Sequence, residues 1–229
     1  MSSQQEPGKE KGFPPSSRLV LTLALIAMMS GITVVFAYEV TREPIAQRRR
    51  ERLIERTIFE ALPGATTHAL YRLDEDDIEQ LPDEEIDDAN LYAGYDDEGD
   101  LIGVALEGSS MGYEDTVRVM YGYSPDEQKI IGFTVVESSE TPGLGDEIGS
   151  DSFQEQFADL EVPLSSDKKE LDTEVSIVDA GSDPGPAEIE AISGATVSSQ
   201  AVADGIQESA STYLPLVMEH LDEIEQGAN

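Results

Sequence analysis

Apolar residues along this chain change their period more than once, and each change predicts a different element. Residues 19–38, LVLTLALIAMMSGITVVFAY, form a run of 20 residues without a charge. A helix rising about 1.5 Å per residue over that length spans a hydrocarbon layer of roughly 30 Å. A cleaved signal peptide is the alternative, since Val35-Phe36-Ala37 has the small-residue character of a cleavage site. The run exceeds the about 7–15 residues of a signal core, which favours a retained transmembrane helix over 19–38. Ile54, Ile58 and Leu62 then recur at four-residue spacing and predict a helix from about Ile45 to Leu62, inside a connecting segment 39–64 that Pro63-Gly64 closes.

From Asn90 the period falls to two. Leu91 to Tyr95 and Leu101 to Leu106 flank the turn residues Asp96 to Asp100, and Thr116 to Tyr123 and Lys129 to Val136 flank Ser124 to Glu127. Both pairs predict antiparallel hairpins. A short helix is expected after Ser150, with Phe153, Phe157 and Leu160 on one face, and a strand over 174–178. Val202, Ile206, Ala210, Tyr213, Val217, Leu221 and Ile224 step by four and three, one helical stripe that Pro215 is expected to kink or divide. The sum is an α+β chain: a tail over 1–18 of disordered composition, a membrane helix, a connecting helix, and one domain over 65–229 with antiparallel hairpins and flanking helices.

Composition narrows the chemistry. There is no cysteine, and the two histidines, His68 and His220, lie far apart. Zinc fingers, iron–sulfur clusters and thioether-linked haem are excluded, as are the usual Ser-His-Asp and Cys-His arrangements. No metal site is expected, and redox chemistry would need an organic cofactor. The net charge is −34, and beyond Arg72 only Arg118, Lys129, Lys168 and Lys169 are basic against 41 acidic side chains. Nucleic acid is a poor partner for such a surface. Asp74-Glu75-Asp76-Asp77 and Asp83-Glu84-Glu85 admit a calcium reading, but Asp96-Asp97-Glu98-Gly99-Asp100 lacks EF-hand spacing and fits a turn. Acid spread over a whole domain predicts a halophilic protein, because such self-repulsion is tolerable when salt screens it.

Charge around the membrane helix bears on topology. Lys9, Lys11 and Arg18 precede it, whereas Arg42, Arg48, Arg49, Arg50, Arg52 and Arg56 follow it. A positive-inside count places the C-terminal domain in the cytoplasm, unless some of these arginines are engaged by Glu51 and Glu55 on their own helix.

Two segments carry candidate chemistry. Ser193-Gly194-Ala195-Thr196, followed by Val197-Ser198-Ser199, sits where the last helix should begin. Unpaired N–H groups and the positive dipole end suit a phosphate there, and a plain helix cap is the competing reading. Glu140-Thr141-Pro142-Gly143-Leu144-Gly145 follows a strand, and its Pro and two glycines suit close backbone approach to a ligand or an ordinary strand-to-helix connection. A P-loop is excluded, because no Gly-Lys-Ser or Gly-Lys-Thr follows.

The membrane segment, Thr41-Arg42-Glu43-Pro44-Ile45 beyond it, the Glu140 to Gly145 loop and the Ser193 to Ser199 motif, in this order, resemble the FMN-binding G subunit of Rnf electron-transport complexes. The chain is also similar to the C subunit of the sodium-pumping NADH:quinone oxidoreductase. The resemblance implies that Thr196 carries FMN as a covalent phosphoester, made by a flavin transferase with FAD as donor. It implies that Ser193, Gly194, Ala195, Ser198 and Ser199 shape the phosphate site, and that Glu140, Thr141, Pro142, Gly143, Leu144 and Gly145 lie near the flavin. It further implies an electron-transfer subunit rather than a stand-alone enzyme, relaying electrons between ferredoxin- and NAD-linked partners. Its expected partners are the other membrane subunits and lipid. The resemblance also contradicts the arginine count: the domain is expected outside the cytoplasm, on the periplasmic side of the inner membrane, with residues 1–18 in the cytoplasm. No residue is marked as a general acid or base. A membrane-anchored flavin-binding sensory module and a pilin-like structural protein are the other readings. Against the pilin, processing after Gly12 would put Ser17 where a pilin has glutamate.

Overall fold

The structure is a computed structural model and describes residues 16–74 and 77–227. The chain divides into two compact units, up to Arg50 and from Glu51. Helix α1 (Ser16–Ala61) begins in the first unit and ends in the second. It runs through Pro44, where the sequence placed the approach to a separate helix. One proline removes a single hydrogen bond, and a helix long on both sides of it survives that loss. The stretch Leu19–Phe36 has a mean hydropathy of 2.5, and all its side chains are exposed. The tail 1–15 with Lys9, Lys11 and Gly12 lies outside the described residues, as do Glu75, Asp76 and the side chains of Arg18, Arg42, Arg48, Arg49, Arg50, Glu51, Arg52 and Glu55.

The second unit is built on one antiparallel sheet. Its strands are β1 (Thr67–Leu73), β2 (Ile78–Leu81), β3 (Leu91–Tyr95), β4 (Leu101–Met111), β5 (Thr116–Ser124), β6 (Lys129–Glu137) and β7 (Leu160–Glu161), in the order β2-β1-β3-β4-β5-β6-β7. Both expected hairpins are present as β3–β4 and β5–β6. Strands β1 and β2 were not anticipated, because β1 is buried on both faces and does not alternate, and acidic residues around Asp74 and Asp77 follow it. After Ser150, whose hydroxyl accepts from the Phe153 N–H, comes α2 (Asp151–Gln154) and then a 3-10 turn, Glu155–Phe157. Phe157 stacks on Phe133 at 3.9 Å between ring centroids. Leu160 leaves the helical face expected for it and enters β7, pairing with Ile130. The strand expected over 174–178 is β8 (Ser176–Val178), and it pairs in parallel with β9 (Glu188–Glu190), which the sequence did not signal. Helix α3 (Thr196–Glu219) continues through Pro215, and the break comes at His220, before α4 (Leu221–Gln226).

Period-two burial sends alternate residues to two cores. Ala93, Val104, Leu106, Val119 and Tyr121 join Val202, Ile206, Ala210 and Val217 of α3 on one face. Leu70, Tyr92, Ala105 and Met120 meet Ile58, Ala61 and Leu62 at the end of α1 on the other. This explains why the middle of β4 is buried on both sides.

The end of α1 is seated by a glycine pair. Gly122 of β5 faces Gly132 of β6 in register. A Cβ built on either would collide with the Ala61 carbonyl oxygen. The two bare positions make a notch into which the helix end fits, and Thr134 donates to Glu60 beside it at 3.1 Å. Gly122→Ala is therefore expected to cost at least about 1–3 kcal/mol, the usual penalty of overpacking a core. A thermal melt checks this against Gly149→Ala, whose added carbon meets nothing within 4 Å; equal melting temperatures would show that the notch does not matter.

Candidate functional site

The start of α3 is defined by a backbone turn and not by a side-chain cap. Gly194 has φ +83°, a left-handed conformation that favours glycine. Ala195 follows in the cap position and has no side-chain oxygen, so no side chain caps the helix from there. The first helical bond runs from the Ser199 N–H to the Ala195 carbonyl at 3.0 Å. The N–H groups of Thr196, Val197 and Ser198 thus precede the intrahelical ladder, and they form the positive end of a 24-residue helix. Of the two readings left open by the sequence, the simple cap is not what the structure contains.

Two segments converge on this helix start and with it enclose a pocket of about 610 Å3. The β4–β5 turn contributes Tyr113 and Glu114, the loop after β6 contributes Glu140, Thr141, Leu144 and Gly145, and the helix start contributes Gly194 to Ser198. The size falls within the roughly 300–1,000 Å3 of small-molecule sites. Eight of the twelve residues singled out in the sequence therefore line one cavity. Pro142 and Gly143 do not line it: Gly143, at φ +76°, turns the loop and donates to Asp146 Oδ1 at 2.6 Å. Ser193 faces a neighbouring depression of about 700 Å3, together with Phe153, Gln156 and Glu190. Ser199 is fully buried behind the helix start.

The four hydroxyls of the motif are sorted by their surroundings. Ser199 donates to the Ala195 carbonyl at 3.1 Å and accepts from the Ile192 N–H at 3.0 Å. Ser198, 1% exposed, donates to the Glu140 carboxylate. Ser193 and Thr196 are exposed, and of these two only Thr196 faces the pocket. Thr196 is the one hydroxyl-bearing residue of the motif that is both exposed and lines the cavity.

Glu140 is the charged group at the pocket's base. It is 5% exposed and accepts from Ser198 and from the Glu114 N–H at 3.0 Å, with the Asp115 and Tyr113 N–H groups also turned toward it. Burial works to raise its pKa, but the Ser198 hydroxyl and the three backbone N–H groups outweigh it and hold the carboxyl below its ordinary value. Tyr113, Leu144 and Val197 supply exposed apolar surface at the mouth. Sequence reasoning missed Tyr113, Glu114 and Val197; an aromatic residue within a Gly-and-acid turn, where no core position is expected, was the available signal.

The site's elements fit a phosphorylated planar ligand: an uncapped helix start, a free hydroxyl and an apolar mouth. The FMN-binding domain family model matches residues 112–211, a range that holds all three segments. The chain is similar to the G subunit of the ion-translocating oxidoreductase complex of Methanosarcina acetivorans, 30% identical over 203 residues, which cover 86% of this chain and 94% of that protein. It is similar to the G subunit of the Na(+)-translocating ferredoxin:NAD(+) oxidoreductase complex of Acetobacterium woodii, at 29% identity, with 82% and 83% of the two chains covered. The crystal structure of the C subunit of the Na(+)-translocating NADH-quinone reductase of Parabacteroides distasonis shares the fold, with a TM-score of 0.61 at 17% identity, over 77% of this chain and 96% of that one.

Proposed function

The chain belongs to the G-subunit family of Rnf-type ion-translocating oxidoreductase complexes, and from that premise we propose that Thr196 carries FMN through a covalent phosphoester. As a member of the family it is a single-pass membrane protein and an FMN-binding electron-transfer subunit, and it works with the other subunits of its complex. The observation that carries the covalent reading is the sorting of hydroxyls: Thr196 alone in the motif is exposed on the pocket. FMN supplies one-electron chemistry when bound.

The chain's own groups divide the remaining work. Thr196 Oγ1 provides the tether, so the cofactor cannot diffuse away. The N–H groups at the start of α3 stabilise the phosphate charge. Tyr113, Leu144 and Val197 offer apolar surface for the ring system and exclude water from it. Attachment by a flavin transferase from FAD forms the threonyl O–P bond, breaks the pyrophosphate bond and releases AMP. The hydroxyl proton passes to a base of the transferase, since no histidine lines the pocket and its carboxylates are engaged, Glu140 by Ser198 and backbone N–H groups and Glu114 by Thr141. The test is a denaturing gel of the chain made with and without an active flavin transferase. A fluorescent band only with the transferase supports the reading, and a dark band in both overturns it.

Lipid is the proposed cover for Leu19–Phe36. The domain from Glu51 onward is proposed to lie outside the cytoplasm, against the arginine count, because the family's arrangement constrains topology more strongly than a count over juxtamembrane residues. Protease added to intact cells is expected to cut the acidic domain. Full protection, in cells whose known surface proteins are cleaved, would place the domain inside.

A further inference from the structure

Glu140 does something that neither the tether nor the apolar mouth requires. Its side chain is almost wholly buried, yet it lines the cavity that Thr196 opens into. One carboxylate oxygen takes the Glu114 N–H of the β4–β5 turn, and the other takes the Ser198 hydroxyl of α3, 58 residues further along the chain. The space around it is closed by two bare positions. A Cβ on Gly112 would strike Oε1, and one on Gly145 would come within 2.7 Å of Oε2. Three separate segments are thus shaped to receive one carboxylate. The ionisable groups on those segments are Tyr113, Glu114, Asp115, Asp146 and Glu147, and none is basic. No cation on them offsets the charge.

We infer that Glu140 is a fixed anion that braces the three walls of the pocket and lowers the reduction potential of the group carried on Thr196. The inference rests on the covalent-FMN reading above. Adding an electron to a flavin beside a buried carboxylate that hydrogen bonds keep ionised, with no cation on its own segments, brings two negative charges together, so the reduced form is disfavoured. Glu140 is a positioning and electrostatic residue that needs no direct contact with the ring.

The test compares Glu140→Gln, Glu140→Asp and Glu114→Gln in the full-length chain, loaded by a flavin transferase and titrated spectroelectrochemically. Glu140→Gln keeps an acceptor for the Glu114 N–H and removes the charge. It is expected to shift the first-electron equilibrium about tenfold toward reduction, a rise of about 59 mV for one electron. Glu140→Asp keeps the charge but cannot reach all its partners; it should lower thermal stability while leaving the potential near that of the wild type. Glu114→Gln, on a side chain not enclosed in this way, should move the potential by much less than Glu140→Gln.

A folded, flavin-bearing Glu140→Gln protein at the wild-type potential overturns the inference, and so does an equal rise in Glu114→Gln. If Glu140→Gln accumulates without flavin, Ser198→Ala carries the test. Protonating Glu140 at low pH removes its charge and should raise the potential; Ser198→Ala leaves the carboxylate but removes a donor, so this rise must begin at a higher pH than in the wild type, and an unchanged onset overturns the inference.

One readout needs no flavin. Because the folded carboxyl is held below its ordinary value, it adds stability above the unfolded glutamate value of 4.5 and loses it as pH falls through the folded value. Melts of the flavin-free chain should show this acid-side loss in the wild type and a smaller one in Glu140→Gln; identical acid-side losses would overturn the brace. A wild type that never takes up flavin would refute the covalent reading while these melts still decide the brace.

Discussion

Replacing Thr196 by alanine is expected to abolish covalent flavin altogether, giving a dark band on a denaturing gel beside a fluorescent wild type. The effect is all-or-none because one oxygen atom makes the bond. Thr196 is exposed at the first position of α3 and does not cap it. Its truncation should therefore change stability by no more than about 0.5 kcal/mol, the usual range for surface substitutions. Loss of flavin then reports on attachment and not on unfolding, which an unchanged melting temperature would verify. Thr196→Ser retains a hydroxyl on the same wall and is expected to keep some fluorescence. Ser193→Ala should load normally, because Ser193 faces the neighbouring depression. Fluorescence that persists in Thr196→Ala would move the bond to another residue, and Ser193 would then be the first to examine, as the other exposed hydroxyl of the motif.

The second large effect concerns salt. Beyond Arg72 the chain sets 41 acidic side chains against four basic ones. Two of the arginines in the described residues are already shared between carboxylates: Arg72 meets Glu79 at 3.0 Å and Asp88 at 3.9 Å, and Arg118 meets Glu107 at 2.7 Å and Glu137 at 3.3 Å. Each arginine thus still leaves negative charge in excess, and such partly exposed pairs contribute only about 0–1 kcal/mol each. What remains is long-range repulsion, and its reach falls from about 10 Å at 0.1 M salt to about 3 Å at 1 M. The melting temperature is expected to rise by about 10 °C or more between 0.1 and 2 M potassium chloride, equivalent to roughly 3 kcal/mol for a domain of this size. Sucrose, which strengthens burial without screening charge, should not reproduce the steep low-salt part of the curve. A melting temperature independent of potassium chloride would remove both the repulsion argument and the halophilic expectation.

These two expectations come from different depths of the molecule. The acidic excess, the uncharged run from Leu19 and the two hairpins can be read directly, because each depends on residues close together in the chain. The motif around Thr196 was legible too, though the role proposed for it came through family resemblance, since four small and polar residues at a helix start do not by themselves distinguish a cap from a phosphate site. Strands β1 and β2 were not legible: β1 is covered on both faces, Tyr71 and Leu73 on one and Leu70 on the other, so its burial does not alternate, and the acidic turn that follows hides its end. Pro215 predicts a kink or a break, yet α3 holds because Leu214 and Val217 on either side of it are buried in the core.

The sequence by itself determined the long uncharged run able to cross a membrane, the antiparallel character of the hairpins, the overwhelming acidity and the order of the two motifs. Periodicity and composition are properties of neighbours along the chain, and that is why they survive translation into structure. Only the tertiary structure decided which hydroxyl of Ser193, Thr196, Ser198 and Ser199 remains accessible to chemistry. It also brought Tyr113 to the pocket, paired Glu140 with Ser198, and set Gly122 against Gly132 to receive the end of α1. Accessibility and hydrogen-bond partnership depend on which distant segments pack together, and no local pattern records which carboxylate a buried serine will meet.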